Sequence, residues 1–249
     1  MLLLKNSGRC SLCRVLLAAL LFWPSADMVL AHGMDKHGGH EARPEMSFGR
    51  TETYDYDPPE PGSYDLPVIM AAGDGRVLDP AGAEHRLLEI MEGHVTILAF
   101  IYTRCMDPDG CPMSMSLLYD IEYVRGQDPD IGDNLRIIAM SFDPGHDTPE
   151  VMAEYGYGEK ARASGRQDIL YLTTASQTDL APILKAYDQA TGRKQNPDDL
   201  MGPLTHQLRV YLIDRRGRVR NIYSLGFMDP RLVVTDIRTL LLEEQQPGP

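Results

Sequence analysis

Two cysteines and one histidine are the side chains here best suited to soft-metal or redox chemistry. Cys105 and Cys111 follow a nine-residue apolar run, Val95–Thr103, and stand just before a helical pattern. His206 lies far along the chain, in a polar loop ahead of another strand-like run. A strand end holds a thiol rigidly. The free N–H groups at a helix start favour negative charge, so the pattern predicts a lowered pKa for Cys111. The intervening residues 106–110, Met-Asp-Pro-Asp-Gly, are turn-forming and can bring the sulfurs together. Two thiolates with one imidazole suit Cu(I), can hold Cu(II), and with one water would also suit zinc. The same pair could instead be a redox couple, or a structural disulfide closing a small loop. Met106 is either a soft neighbour of this site or apolar filler.

These side chains need elements to position them. Val95–Thr103 is apolar almost throughout, as befits a central strand covered on both faces. Met113, Leu117, Leu118, Ile121 and Val124 recur at helical spacing, with Pro112 in the first turn. Strands are expected at 135–142 and 168–173. Short helices are expected from Asp147 and through Leu180, Ile183, Leu184 and Tyr187. Segments 67–70 and 76–78 flank Ala72-Gly-Asp-Gly75 as a predicted hairpin, and segments 208–214 and 218–223 flank Arg215-Arg-Gly217 as a second. A last helix starts at Asp229-Pro230. The order predicts a three-layer α/β sandwich with a mixed sheet. Its chemistry should gather at the carboxyl ends of the strands, with the strand after His206 entering near the sheet centre.

The chain has 249 residues and a net charge of −12, which excludes a basic nucleic-acid footprint. Acidity alone says little about metals. Residues 1–31 read as a secretory signal: Lys5, Arg9 and Arg14, then the apolar run Val15–Trp23, then small residues before a cut after Ala31. That run is well short of the ~20 residues a membrane-spanning helix needs, so an uncleaved anchor is the weaker alternative. Cys10 and Cys13 fall upstream of the apolar run and are read as incidental. Residues 32–63 read as a flexible polar tail. It contains His32, His37 and His40, an auxiliary metal-capture tract or a solvated linker. The folded domain is expected over 64–243, with a polar tail over 244–249.

Four stretches stand out together: Ala99-Phe-Ile-Tyr-Thr-Arg-Cys105, Cys111-Pro112, Ser141-Phe-Asp-Pro144 with Asp147-Thr-Pro149, and His206 followed by Val210-Tyr-Leu-Ile-Asp214 and Gly217. In this order they resemble the Sco/SenC family of copper-binding proteins with a thioredoxin-like fold. The resemblance covers roughly residues 64–243. It implies Cys105, Cys111 and His206 as copper ligands, with Asp143 and Asp147 as capping and turn residues. It also implies export to the periplasm and help in assembling the copper centre of cytochrome c oxidase or a related client. Some family members act as thiol–disulfide reductants, which makes an oxidoreductase using Cys105 and Cys111 the alternative. A peroxidase is a more distant reading, since Thr103-Arg-Cys105 matches a peroxidatic motif only loosely. One departure stands out: the family's usual Cys-x-x-x-Cys is here Cys-x₅-Cys.

Overall fold

The computed structural model describes residues 54–156 and 169–245. The signal-like segment 1–31, with Cys10 and Cys13, and the tract His32–His40 lie outside them. In chain order the strands and helices are β1 (Met70–Ala71), β2 (Arg76–Leu78), β3 (Glu84–Arg86), α1 (Leu87–Met91), β4 (Val95–Ile101), α2 (Cys111–Gln127), β5 (Leu135–Ser141), α3 (Pro149–Gly156) and β6 (Ile169–Leu172). There follow α4 (Gln177–Ala186), β7 (Thr191–Arg193), β8 (Leu204–His206), β9 (Arg209–Ile213), β10 (Arg218–Ser224) and α5 (Pro230–Gln245). No helix among the described residues is long and apolar enough to cross a membrane.

A six-stranded mixed sheet runs β1-β10-β9-β4-β5-β6. β4, β5 and β6 are parallel, while β9, β10 and β1 add antiparallel strands on the other side of β4. Every residue of β4 is buried, so both faces of the sheet are covered there. Each large side chain withdrawn from water in that strand contributes about 1.5–3 kcal/mol, which makes β4 the best-anchored platform in the fold. Leu117, Leu118, Ile121 and Val124 form the buried stripe of α2. On β4 and β9, Phe100 and Tyr211 stack edge-on with each other and with Tyr187 at the end of α4, with ring centroids 5.0–5.9 Å apart.

Three expectations change. Segments 67–70 and 76–78 do not form a hairpin. β1 pairs with β10, and β2 pairs with β3. The glycines between them serve close packing against α4: a Cβ on Gly73 would strike Ala186 and the Tyr187 ring, and one on Gly75 would strike Ile183. Asp74 between them accepts from the Gly75 and Leu88 N–H groups and pairs with Arg86, which fixes the crossing. Residues 54–63, read as the end of a tail, pack on α5. Arg231 donates to the Tyr56 carbonyl at 3.0 Å and stacks on the Tyr54 and Tyr56 rings, and the Gly62 N–H donates to Thr239. Finally, α5 runs past 243 to Gln245, its last turn held by Glu243 on Arg220 and Glu244 on Arg215.

Gly73→Val should therefore destabilise the fold by about 1–3 kcal/mol, the range for overpacking a filled interface. Denaturant titration should show a lowered midpoint with an unchanged slope. A midpoint equal to wild type would mean that the chain does not need this close approach.

Candidate metal centre

Cys105 lies in the loop after β4 and Cys111 is the first residue of α2, as the spacing predicts. His206 is not in a loop. It ends β8, the second strand of a small hairpin in which Thr191 pairs with His206. β7, Thr-Gly-Arg, is exposed throughout and carries no alternation, so nothing in the residue pattern announces that hairpin. The antiparallel placement of β9 against β4 delivers the hairpin to the cysteine loop.

The donor atoms of Cys105, Cys111 and His206 all lie within 4.8 Å of one another. Cys111 Sγ and His206 Nε2 are 3.5 Å apart. Both cysteines are free and buried, and His206 is half-buried. His206 Nδ1 faces the Gln207 carbonyl at 3.2 Å, so Nδ1 carries the hydrogen and Nε2 turns to the sulfurs. That carbonyl is itself held by the buried Gln189 amide at 2.6 Å, and Gln189 accepts from the Tyr211 hydroxyl. The imidazole edge also rests on Phe142, with ring centroids 4.9 Å apart, and on Tyr102 at 6.1 Å.

The cysteine loop is a folded turn. The Gly110 N–H donates to the Asp107 carbonyl at 2.9 Å, and the Asp107 carboxylate accepts the Asp109 N–H. Gly110 has no side chain because a Cβ there would already stand 3.2 Å from Cys105 Sγ. Two ties bind the loop to the segment before β8. The Met106 N–H donates to the Met201 carbonyl at 3.3 Å, and the Tyr102 hydroxyl reaches the carbonyls of Met201 and Leu204. Gly202, at φ +97°, lets this segment close on the loop; a Cβ there would collide with Tyr102 and stand 2.7 Å from the Arg104 carbonyl.

Asp143 and Asp147 are structural, but their side chains cap no helix; they tie the segment after β4 to the end of β5 and the turn beyond it. Asp147 is fully buried and accepts from the Thr103 N–H, the Thr103 hydroxyl and the Ser141 hydroxyl. Asp143 pairs with Arg104 at 2.6 Å. Together with His146 they form a second compact group of donor atoms. Its carboxylates, however, are already engaged by Thr103, Ser141 and Arg104. The Thr103 hydroxyl is likewise committed to Asp147, which removes it from the role that the peroxidase reading required.

The two thiols differ in an unexpected direction. The hydrogen bond from the Cys111 thiol pulls the Cys105 pKa down to about 4. Burial opposes this, while the N–H groups of Cys111 and Asp107 add to the lowering. Cys111 moves the other way, raised by donating that bond, by deeper burial and by the like charge on Cys105. The N–H at the helix start does stabilise a thiolate, but the thiolate is that of Cys105. One proton is thus shared between two sulfurs, and the pair titrates as a unit.

A family model described as SCO1/SenC matches residues 79–242, and the chain belongs to that family. A SCO2-like protein of Rickettsia prowazekii is 24% identical over 136 residues, spanning 54% of this chain and 60% of that protein. Copper-bound ScoI of Bradyrhizobium japonicum superposes with a TM-score of 0.52 at 23% identity, covering 66% of this chain and 98% of that one. BsSco, described as a member of the Sco family of cytochrome c oxidase assembly proteins with a disulfide switch, gives 0.55 at 20% identity, covering 72% and 98%. The fold is therefore the expected thioredoxin-like arrangement.

In the metal-free protein, Cys111→Ala should raise the pKa of Cys105 by one unit or more, since the main donor to its thiolate is lost. Cys111→Ser, which keeps a donor, should raise it less. Thiolate ultraviolet absorbance against pH reads both. Equal curves for the two variants would show that the hydrogen bond is not what lowers Cys105.

Proposed function

We propose that this protein is an exported copper-binding metallochaperone that carries copper as cargo to a copper-site protein, cytochrome c oxidase or a related cuproprotein. The observation that carries this reading is the convergence of two thiols and one imidazole within 4.8 Å, at the carboxyl end of β4. Two thiolates with Cu(I) carry a charge of −1, and with Cu(II) they are neutral, so either state enters without a large buried charge. The orienting chain Tyr211–Gln189–Gln207 presents a lone pair on Nε2, the form in which imidazole binds a metal. Family membership, the copper-bound relative and the oxidase-assembly relative support copper and the client class. The signal-like residues 1–31 support a periplasmic site of action, and His32, His37 and His40 would supply an auxiliary loading tract.

A second reading, thiol–disulfide exchange by Cys105 and Cys111, is favoured by the lowered pKa of Cys105 and its contact with a protonated partner thiol. The two activities are compatible, because copper needs the pair reduced.

Reduced protein should bind one equivalent of Cu(I). Cys105→Ser and Cys111→Ser should abolish tight binding, and His206→Ala should weaken it by about tenfold or more. Competition against a coloured Cu(I) chelator measures all four proteins. Equal affinity across them would end the copper reading. Turnover of a disulfide substrate by a protein that fails to retain copper would transfer the case to the oxidoreductase.

A further inference from the structure

Met106 and Met201 remain unexplained by the site as described. Among the described residues they are the only exposed methionines, 66% and 46% accessible; the others are buried or half-buried. Met106 therefore does not fill an apolar gap. Single exposed apolar side chains are ordinary. These two, however, come from distant segments and are joined directly by the hydrogen bond from the Met106 N–H to the Met201 carbonyl. A single bond of this kind keeps the two α-carbons within about 7 Å of each other. Each side chain has three rotatable bonds, so their sulfurs can meet on one ion. Met106 directly follows Cys105, and Met201 lines the cleft that contains Cys105 and His206. Asp107 and Asp109 line the same cleft and place negative charge at its mouth.

We propose that the thioethers of Met106 and Met201 form a transient Cu(I) docking site at the mouth of the cleft, from which the ion passes to Cys105, Cys111 and His206. The proposal rests on the copper reading above. Thioethers are soft and uncharged, so they select Cu(I) over hard cations and hold it more weakly than thiolates do. Affinity therefore rises inward. The transfer is a ligand exchange: the two copper–thioether bonds break as bonds to Sγ of Cys105, Sγ of Cys111 and Nε2 of His206 form. Copper stays monovalent throughout, and the proton of the Cys111 thiol passes to water.

Two measurements on the full chain test this. In Cys105→Ser/Cys111→Ser protein, Ag(I), a soft monovalent probe, should shift the methyl resonances of both Met106 and Met201 and leave those of the buried methionines in place. In protein with both cysteines, Met106→Leu/Met201→Leu should load Cu(I) from a coloured chelator about tenfold more slowly, with its equilibrium affinity unchanged. Unmoved Met106 and Met201 methyls, or a shift of only one, would overturn the pair. Shifted methyls with an unchanged loading rate would overturn the relay. Because the silver titration uses protein without Cys105 and Cys111, and is read at the methionine methyls alone, its result stands whether or not the thiol site binds copper, so the two readings fail separately.

Discussion

The site depends on a buried carboxylate. Asp147 has no exposed surface, and burying such a group is costly unless its oxygens are hydrogen-bonded. Here they take the Thr103 N–H and the hydroxyls of Thr103 and Ser141. Thr103 lies just past β4 and Ser141 ends β5, so one side chain ties the carboxyl ends of two parallel strands together. Asp143, reaching Arg104 from the same turn, extends the tie by one residue. The chain therefore leaves the sheet toward Cys105 along a fixed path. The sulfurs meet because their approach is fixed at the strand side by this network and at the helix side by the start of α2.

Much of this was legible in the order of residues. A run as apolar as Val95–Ile101 has few places to go except a sheet covered on both faces, and the stripe Leu117–Val124 has the helical period that covers it. Cysteines between such elements fall at a strand end without further assumption. The hairpin at Arg215-Arg-Gly217 formed as read, and it brings the strand after His206 beside β4. Less legible were features set by tertiary contact. Gly73 and Gly75 resemble turn glycines, yet their use is to let a backbone press on Ile183 and Ala186. The β7–β8 hairpin has no apolar alternation to announce it. Gln189 and Tyr211, which orient His206, are ordinary residues until the fold stacks them. How the two thiols share one proton depends on their hydrogen bond and burial, which spacing does not encode.

The wider Cys-x₅-Cys spacing is accommodated without slack. Asp107 closes the added residues into a turn with its own carbonyl and carboxylate, and Gly110 makes room for the sulfur beside it. The donor atoms of the two thiols stay within 4.8 Å of each other across this spacing. Met106 in this loop, and Leu200 and Met201 in the segment tied to it, lie open to water.

The imidazole is carried by a different part of the fold from the sulfurs. Its hairpin has three residue pairs and stands outside the main sheet. Short peripheral elements open at a small fraction of the free energy needed to unfold a core strand. The hairpin's attachment to the rest of the fold is through a few contacts, Leu204 with Tyr102 and Gln207 with Gln189. A change that stiffens or loosens residues 191–206 would act first on the nitrogen donor, and through Met201 and Leu204 on the loop that carries Cys105.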